Sequence, residues 1–371
     1  MKILLVILHA DATRGGAEGY ALDLMRALTA RGHDVYVAAA DFSEAVPVER
    51  RVPLQHSGLT RSGRYRRFCR ALDVHLRANA YDVIHSFLPV PTCDVYHPQA
   101  GIESFGWNTL PLMQRLGNAR RRAFVAVERQ LIEGSKPPMV LCLSERVSER
   151  SRHAFKIDRS RIVTLYNGVD ENRFVPSETH RPWTGDLSIA FSRAAQPRFI
   201  FIGQDFARKG LDIAIRALAE FPCGTLRVVG RDNPAPFLAL AESLSLQKRI
   251  DFAGPSNNVP NELQHADVLL LPAHHEPFGM VVVEAMLSGV VPIVSVVTGA
   301  AEVIHDSVNG RILLSSDPKA WAGAMRDVLN RLPAYRQACI DSRTTLSYQR
   351  HIDAVTWIYE QIIHQRNVIA E

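Results

Sequence analysis

A chain of 371 residues is too long for one ordinary core and predicts about two domains. Hydrophobic residues make up 47% and charged residues 22%, a globular composition that excludes long disordered tracts, and no run approaches the roughly 18 apolar residues of a membrane span. The net charge of +5 suits partners that carry phosphate or an anionic surface, and five scattered cysteines without a C-x-x-C pair indicate neither a disulfide framework nor a zinc site and fit a reducing, cytoplasmic compartment.

The opening run Ile3 to Leu8 follows a single lysine and gives way at once to a polar stretch with Arg14 and paired glycines. It reads as the buried first strand of a parallel sheet rather than as a signal peptide. Ala17 to Ala30 predicts a helix with Leu22, Met25 and Leu28 on one face, broken at Gly32. Val35 to Ala39 predicts a second strand, Arg66 to Ala78 a helix, and Asp82 to His85 a further strand. Strand, helix, strand at this spacing implies crossovers within a parallel sheet covered on both faces.

Between Pro176 and Pro197, with Pro182 and Gly185 inside, periodicity fades and an exposed linker is expected. The pattern then restarts. Phe199 to Gly203, Leu226 to Gly230, Ile250 to Ala253, Val268 to Leu271 and Val291 to Val294 predict strands, with helices over Leu211 to Glu220 and Pro236 to Leu244. The fold class is therefore α/β, with two doubly wound domains at 1–176 and 177–348 and a cleft expected between them. A last helix carries Ile352, Val355, Ile358 and Ile362 at helical spacing. It is either confined to the second domain or, over about 349–371, crosses back onto the first.

Three constellations bring chemistry to strand ends. In Thr13-Arg14-Gly15-Gly16-Ala17-Glu18, the glycines permit close backbone approach and the following helix offers free N–H groups to phosphate oxygens. A tight strand-to-helix turn explains the same glycines, and the run matches neither a dinucleotide nor an ATP loop. In Gly203-Gln204-Asp205-Phe206-Ala207-Arg208-Lys209-Gly210, two adjacent cations at a helix entrance suit a diphosphate, and a solvated basic pair is the plainer alternative. In Glu276-Pro277-Phe278-Gly279, followed by Val281-Val282-Val283-Glu284-Ala285-Met286, two glutamates stand about two helical turns apart at a strand-to-helix junction. Carboxylates pair readily with sugar hydroxyls, and Glu284 within so apolar a run needs a partner if it is buried.

The run Glu276 to Pro292 resembles the donor-site motif of retaining glycosyltransferases of family four, whose architecture is GT-B, two Rossmann-like domains. The resemblance extends over nearly the whole chain: Gly15-Gly16-Ala17-Glu18, Arg31 to Val35, Tyr166 to Asp170 with Arg173-Phe174, Arg208-Lys209-Gly210, and Leu263 to Pro272. Within the family, Gly203 to Gly210, Asp94-Val95-Tyr96, and Phe124 to Gly134 with its Glu128-Arg129 are most similar to the lipopolysaccharide-core heptose glucosyltransferase type. Glu276-Pro277-Phe278-Gly279 and His97 follow the broad family pattern more than that subgroup's.

The resemblance implies that Arg208 and Lys209 hold the donor diphosphate and stabilise the charge developing on it, with amides of Gly15 and Gly16 facing it. Glu284 would bind the ribose and Glu276 the donor sugar, with backbone donors at Phe278 and Gly279. Gly254 and Pro255 would lie against the base, and Asp94 and His97 would face the acceptor or the reacting carbon. No metal is expected, the cationic pair standing in place of magnesium. The implied reaction is retaining transfer of a hexose, glucose from UDP-glucose, to a sugar of a lipid-linked glycan such as lipopolysaccharide core.

Phe105-Gly106-Trp107, Leu110 to Met113 and the basic run Arg115 to Arg122, including Arg120-Arg121-Arg122, with Arg61, Arg64, Arg66, Arg67 and Arg70, suit peripheral contact with an anionic membrane. A solvated basic face beside a pocket for phosphorylated acceptors explains them as well. Nucleic acid is not an expected partner, because interleaved aromatics and a known module are lacking. A family-four transferase with another lipid or polysaccharide acceptor, a nucleotide-sugar epimerase and a non-catalytic binder of nucleotide sugars are the competing readings. The basic and apolar surface favours a transferase over an epimerase. The intact set Arg208, Lys209, Glu276 and Glu284 speaks against a mere binder.

Overall fold

The computed structural model describes residues 1–99, 101–105, 107, 110–111, 113, 118–177 and 196–370. The chain forms two compact units, Met1–Tyr166 with Ile352–Glu371, and Asn167–His351. The division falls ahead of the expected boundary at 176 because the segment that follows it is stapled to the second unit. Val169 bridges Ser347, and Arg343 donates to the carbonyl oxygens of Glu171 and Phe174, the latter at 2.7 Å. Pro182 and Gly185, expected in the linker, lie outside the described residues.

The first unit holds strands β1 (Lys2–Val6), β2 (His9–Ala10), β3 (Asp34–Ala39), β4 (Asp41–Phe42), β5 (Arg51–Pro53), β6 (Val83–Ser86), β7 (Val95–Tyr96), β8 (Met139–Cys142) and β9 (Ile162–Thr164). Seven of them form one parallel sheet in the order β5-β3-β1-β6-β7-β8-β9, while β2 and β4 pair separately. Helices α1 (Gly16–Ala30), α2 (Arg61–Ala78), α3 (Ala119–Glu133) and α4 (Glu145–Ala154) cover it. Ile3, Leu4, Leu5 and Val6 of β1 are fully buried, as a central strand with both faces covered requires. Tyr65 of α2 stacks on Phe124 of α3 with ring centroids 4.0 Å apart. Thr60 and Asn118 cap the two helices by accepting from the Gly63 and Arg121 amides.

The second unit holds β10 (Arg198–Ile202), β11 (Thr225–Val229), β12 (Ile250–Gly254), β13 (Val268–Leu271), β14 (Val291–Ser295) and β15 (Arg311–Leu313), a parallel sheet in the order β12-β11-β10-β13-β14-β15. Its helices are α5 (Leu211–Ala219), α6 (Ala235–Ser243), α7 (Val259–Gln264), α8 (Met280–Leu287), α9 (Pro318–Asn330) and α10 (Leu332–Asp341). Helix α11 (Tyr348–Ala370) begins in this unit, and from Ile352 its residues belong to the first. There it is held by Arg31 donating to Asp353 and Thr356, by the buried pair His85 and Tyr359, and by Arg366 paired with Asp94.

Candidate active site

In the second sheet the chain runs outward from β10 through β11 to β12, then returns to β13 on the other side of β10. The strand order therefore switches between β10 and β13, and ligands of open parallel sheets bind beyond the carboxyl ends of strands at such a point. The loop after β10 brings Arg208 and Lys209 there, and the segment after β13 brings Glu276. Lys209 Nζ lies 2.8 Å from Glu276 Oε2, and Arg208 Nη1 lies 3.3 Å from the same oxygen. Lys209 and Glu276 are only 12% and 11% exposed, so this pairing is shielded from solvent. The two segments are also joined by backbone: His274 N–H donates to the Arg208 carbonyl at 2.8 Å.

Glycine is needed at the foot of this loop. Gly203 has φ 157°, and a Cβ there would sit 2.5 Å from Lys209 Cδ and 2.7 Å from Cε. The lysine stem occupies the space that a side chain would take, so the two positions form one device.

The carboxylate segment is fixed from the other side. Glu276 forms an isolated parallel bridge with Thr298, its carbonyl accepting from Gly299 N–H at 2.9 Å, while the Phe278 carbonyl accepts from Ala300 N–H at 2.7 Å. Phe278 is buried, and Gly279, at φ 89°, is the left-handed residue that starts α8. The sequence spacing places Glu276 and Glu284 about two helical turns apart. The structure corrects this, because α8 covers only Met280–Leu287. Glu276 precedes the helix, and Glu284 stands one turn into it, about 6 Å along the axis. Gly254 closes β12 at φ 73°, with open space where a Cβ would point, and Pro255 is exposed. Two strand spacings, about 10 Å, separate β12 from β10.

In the first unit the corresponding switch lies between β1 and β6. Gly15 and Gly16 follow β1, and His97 follows β7, all at the carboxyl edge of the sheet. Gly15 is extended, at φ 171°, and a Cβ on Gly16 would meet nothing within 4 Å. The turn itself therefore does not demand glycine at 16, whereas a Cβ on Gly15 would lie 3.0 Å from the Glu18 carboxylate. His97 is fully buried, with Tyr20 Oη 3.5 Å from Nδ1 and Gln99 Nε2 3.0 Å from Nε2. Burial pushes the Tyr20 hydroxyl well above its ordinary range, so it stays protonated.

Asp94, expected with His97 to face the acceptor or the reacting carbon, is not brought beside His97. It precedes β7 at the amino edge of the sheet, about 10 Å of strand away from the edge that carries His97. There it accepts from Ile84 N–H at 2.8 Å and pairs with Arg366. A short strand separates the two residues in sequence and puts them at opposite edges.

Glu128 is a residue whose role the sequence did not expose. Its carboxylate is fully buried and accepts from Tyr96 Oη at 2.7 Å, Glu103 N–H at 3.0 Å, Ser104 N–H at 2.7 Å and Ser104 Oγ at 2.6 Å. Charge inside an apolar helix face was the available signal. Burial and this neighbouring carboxylate hold the Glu103 carboxyl above its ordinary range. Arg121 donates to the Phe105 carbonyl at 2.9 Å and lies over the Trp107 ring, so it fastens the same loop. Leu112 and Arg115 of the expected apolar and basic patch lie outside the described residues.

The Glycosyltransferase Family 4 model matches residues 14–173, and the Glycosyl transferases group 1 model matches residues 189–343. The chain is 28% identical over 320 residues to the lipopolysaccharide glucosyltransferase WaaG of Escherichia coli, covering 81% of this chain and 82% of that protein. It superposes on the crystal structure of WaaG with a TM-score of 0.82 at 24% identity, covering 95% and 98% of the two chains. It is 26% identical to the D-inositol 3-phosphate glycosyltransferase of Mycolicibacterium vanbaalenii, over 94% of this chain and 86% of that one. The fold also matches Anabaena HepE, crystallised with UDP-glucose, with a TM-score of 0.72 at 19% identity over 99% and 100% of the chains. Between them the two family models take in both parallel-sheet units, and the chain belongs to the family-four glycosyltransferases of GT-B architecture.

Proposed function

We propose that this glycosyltransferase moves a hexose, glucose from UDP-glucose, onto a sugar of a lipid-linked glycan of the lipopolysaccharide-core type, with retention of anomeric configuration and without a metal ion. The observation that carries the reading is the meeting of Arg208, Lys209 and Glu276 at the switch point between β10 and β13. Two fixed cations suit a diphosphate, and their interaction strengthens as the leaving group gains charge. When the diphosphate takes the cations, the Glu276 carboxylate is released to accept from donor hydroxyls. The amino end of α8 at Phe278 and Gly279 adds partial positive charge, Glu284 takes the ribose, and Gly254 with Pro255 borders the base. Retention follows from same-face attack, in which the C1–oxygen bond to phosphate breaks as the acceptor oxygen bonds C1. The acceptor proton passes to the departing phosphate oxygen.

The likeness to WaaG supports the acceptor class, and HepE crystallised with UDP-glucose supports the donor. The D-inositol 3-phosphate relatives favour a second reading for the acceptor alone, a small phosphorylated polyol. A panel of UDP-, ADP- and GDP-hexoses, assayed for nucleotide release with extracted core glycolipid, with inositol phosphate or with neither, decides. Release from UDP-glucose that rises with the glycolipid supports the proposal. A rise only with inositol phosphate moves the acceptor to the second reading, and no release from any donor overturns it.

A further inference from the structure

We propose that Asp205 is a positioning residue for transfer, aiming the Arg208 guanidinium; the inference rests on the donor-site reading above. Asp205 is a non-glycine residue with positive φ, at 59°, a conformation that L residues adopt at a cost and that concentrates at functional sites. The surrounding loop imposes it. The Asp205 carbonyl accepts from Lys209 N–H at 3.0 Å, and the next residue's N–H is held by the Asp232 carboxylate at 2.7 Å.

In this pose the Asp205 carboxylate turns onto its own loop. One oxygen accepts from Arg208 N–H at 3.2 Å and the other from Arg208 Nε at 2.9 Å. Arg208 Nη1 is spent on the His275 carbonyl at 2.6 Å and on Glu276. Nη2 has no hydrogen-bond partner among the described residues, and with Nε and Nη1 fixed the planar guanidinium can point it in only one direction.

Stability does not explain the arrangement. The pair is three residues apart, with Asp205 55% and Arg208 35% exposed. Such surface pairs add little, and the left-handed backbone takes back a comparable amount. What remains is orientation. When a diphosphate takes the place of Glu276, Asp205 on Nε is the side-chain contact that keeps the guanidinium in place, beside the His275 carbonyl on Nη1.

Glycine adopts this backbone without strain, and asparagine tolerates it while keeping one acceptor, so Asp205→Gly and Asp205→Asn test the contact without unfolding the loop. The experiment measures UDP release from UDP-glucose with core glycolipid, affinity for UDP, and the thermal midpoint, for Asp205→Gly in wild-type and Arg208→Ala backgrounds. Turnover is expected to fall about tenfold in the wild-type background with affinity for UDP and the midpoint nearly unchanged, Asp205→Asn lying between. In Arg208→Ala the same change is expected to cost less than about twofold, since its effect passes through the missing guanidinium. Equal losses in both backgrounds, or no loss in the first, overturn the role of Asp205. Full activity of Arg208→Ala alone sinks the donor-site reading instead.

Discussion

At the scale of single residues, the cations of the donor site are already neutralised by Glu276, and two predictions follow from that arrangement. Glu276→Gln keeps the shape but frees Lys209 and Arg208 from a carboxylate at 2.8 and 3.3 Å. Free UDP should then bind several-fold more tightly, while transfer falls about 10²-fold because the contact to the donor sugar is lost. Titration calorimetry with UDP, alongside the transfer rate, checks both signs; weaker UDP binding contradicts the account. Gly203→Ala puts a methyl 2.5 Å from Lys209 Cδ. The lysine must leave its place, so turnover should drop about tenfold or more, with a stability loss of about 1–3 kcal/mol from overpacking. A variant that loses stability and keeps its turnover would show that the position of the lysine stem does not matter.

At the scale of elements, the long periodic segments were legible and the short ones were not. Leu22, Met25 and Leu28 announce α1, and the apolar runs at Phe199, Val268 and Val291 announce the inner strands of the second sheet. Strand β7 has two residues, too few for any period to show, so nothing in the sequence placed Asp94 and His97 at opposite sheet edges. The pairing of Lys209 with Glu276 is equally invisible from a chain separation of this length. The adjacency of strands β10 and β13 creates it. The buried carboxylate of Glu128 belongs to the same class, since its four donors come from β7 and from the 103–104 turn. Glu128→Ala strands those donors without solvent. At roughly 1–3 kcal/mol for each buried group left unpaired, the loss should reach about 3 kcal/mol or more, a fall of about 10 °C in thermal midpoint for a unit of this size. A scanning-calorimetry shift under about 2 °C would show that the 103–104 turn is not anchored there.

At the scale of the whole molecule, among the described residues no helix is long and apolar enough to cross a membrane, and the prediction concerns contact made from the surface. Arg120 and Arg122 are exposed at the start of α3, whereas Arg121 is committed to the 103–105 turn and Trp107 is half-buried beside it. The test of peripheral binding is therefore Arg120→Ser with Arg122→Ser, leaving Arg121 intact. Two cations near an anionic surface are worth about 1 kcal/mol each, a roughly 30-fold change in partitioning at low salt that fades as salt is added. Equal co-sedimentation of wild type and variant with anionic vesicles would assign these arginines to the acceptor instead.

The central claim is that a protein cation at the switch point of the second sheet, rather than a metal, carries the charge of the leaving diphosphate. The measurement that meets it most directly is UDP release from UDP-glucose, in EDTA and with core glycolipid, by wild type and by Lys209→Ala, with affinity for UDP-glucose measured on both. Wild type should keep its rate in EDTA, and Lys209→Ala should lose about 10²-fold or more in turnover while its affinity changes by less than about tenfold. Loss of the wild-type rate in EDTA with recovery on magnesium or manganese, or a variant whose turnover and affinity fall by the same factor, would contradict it.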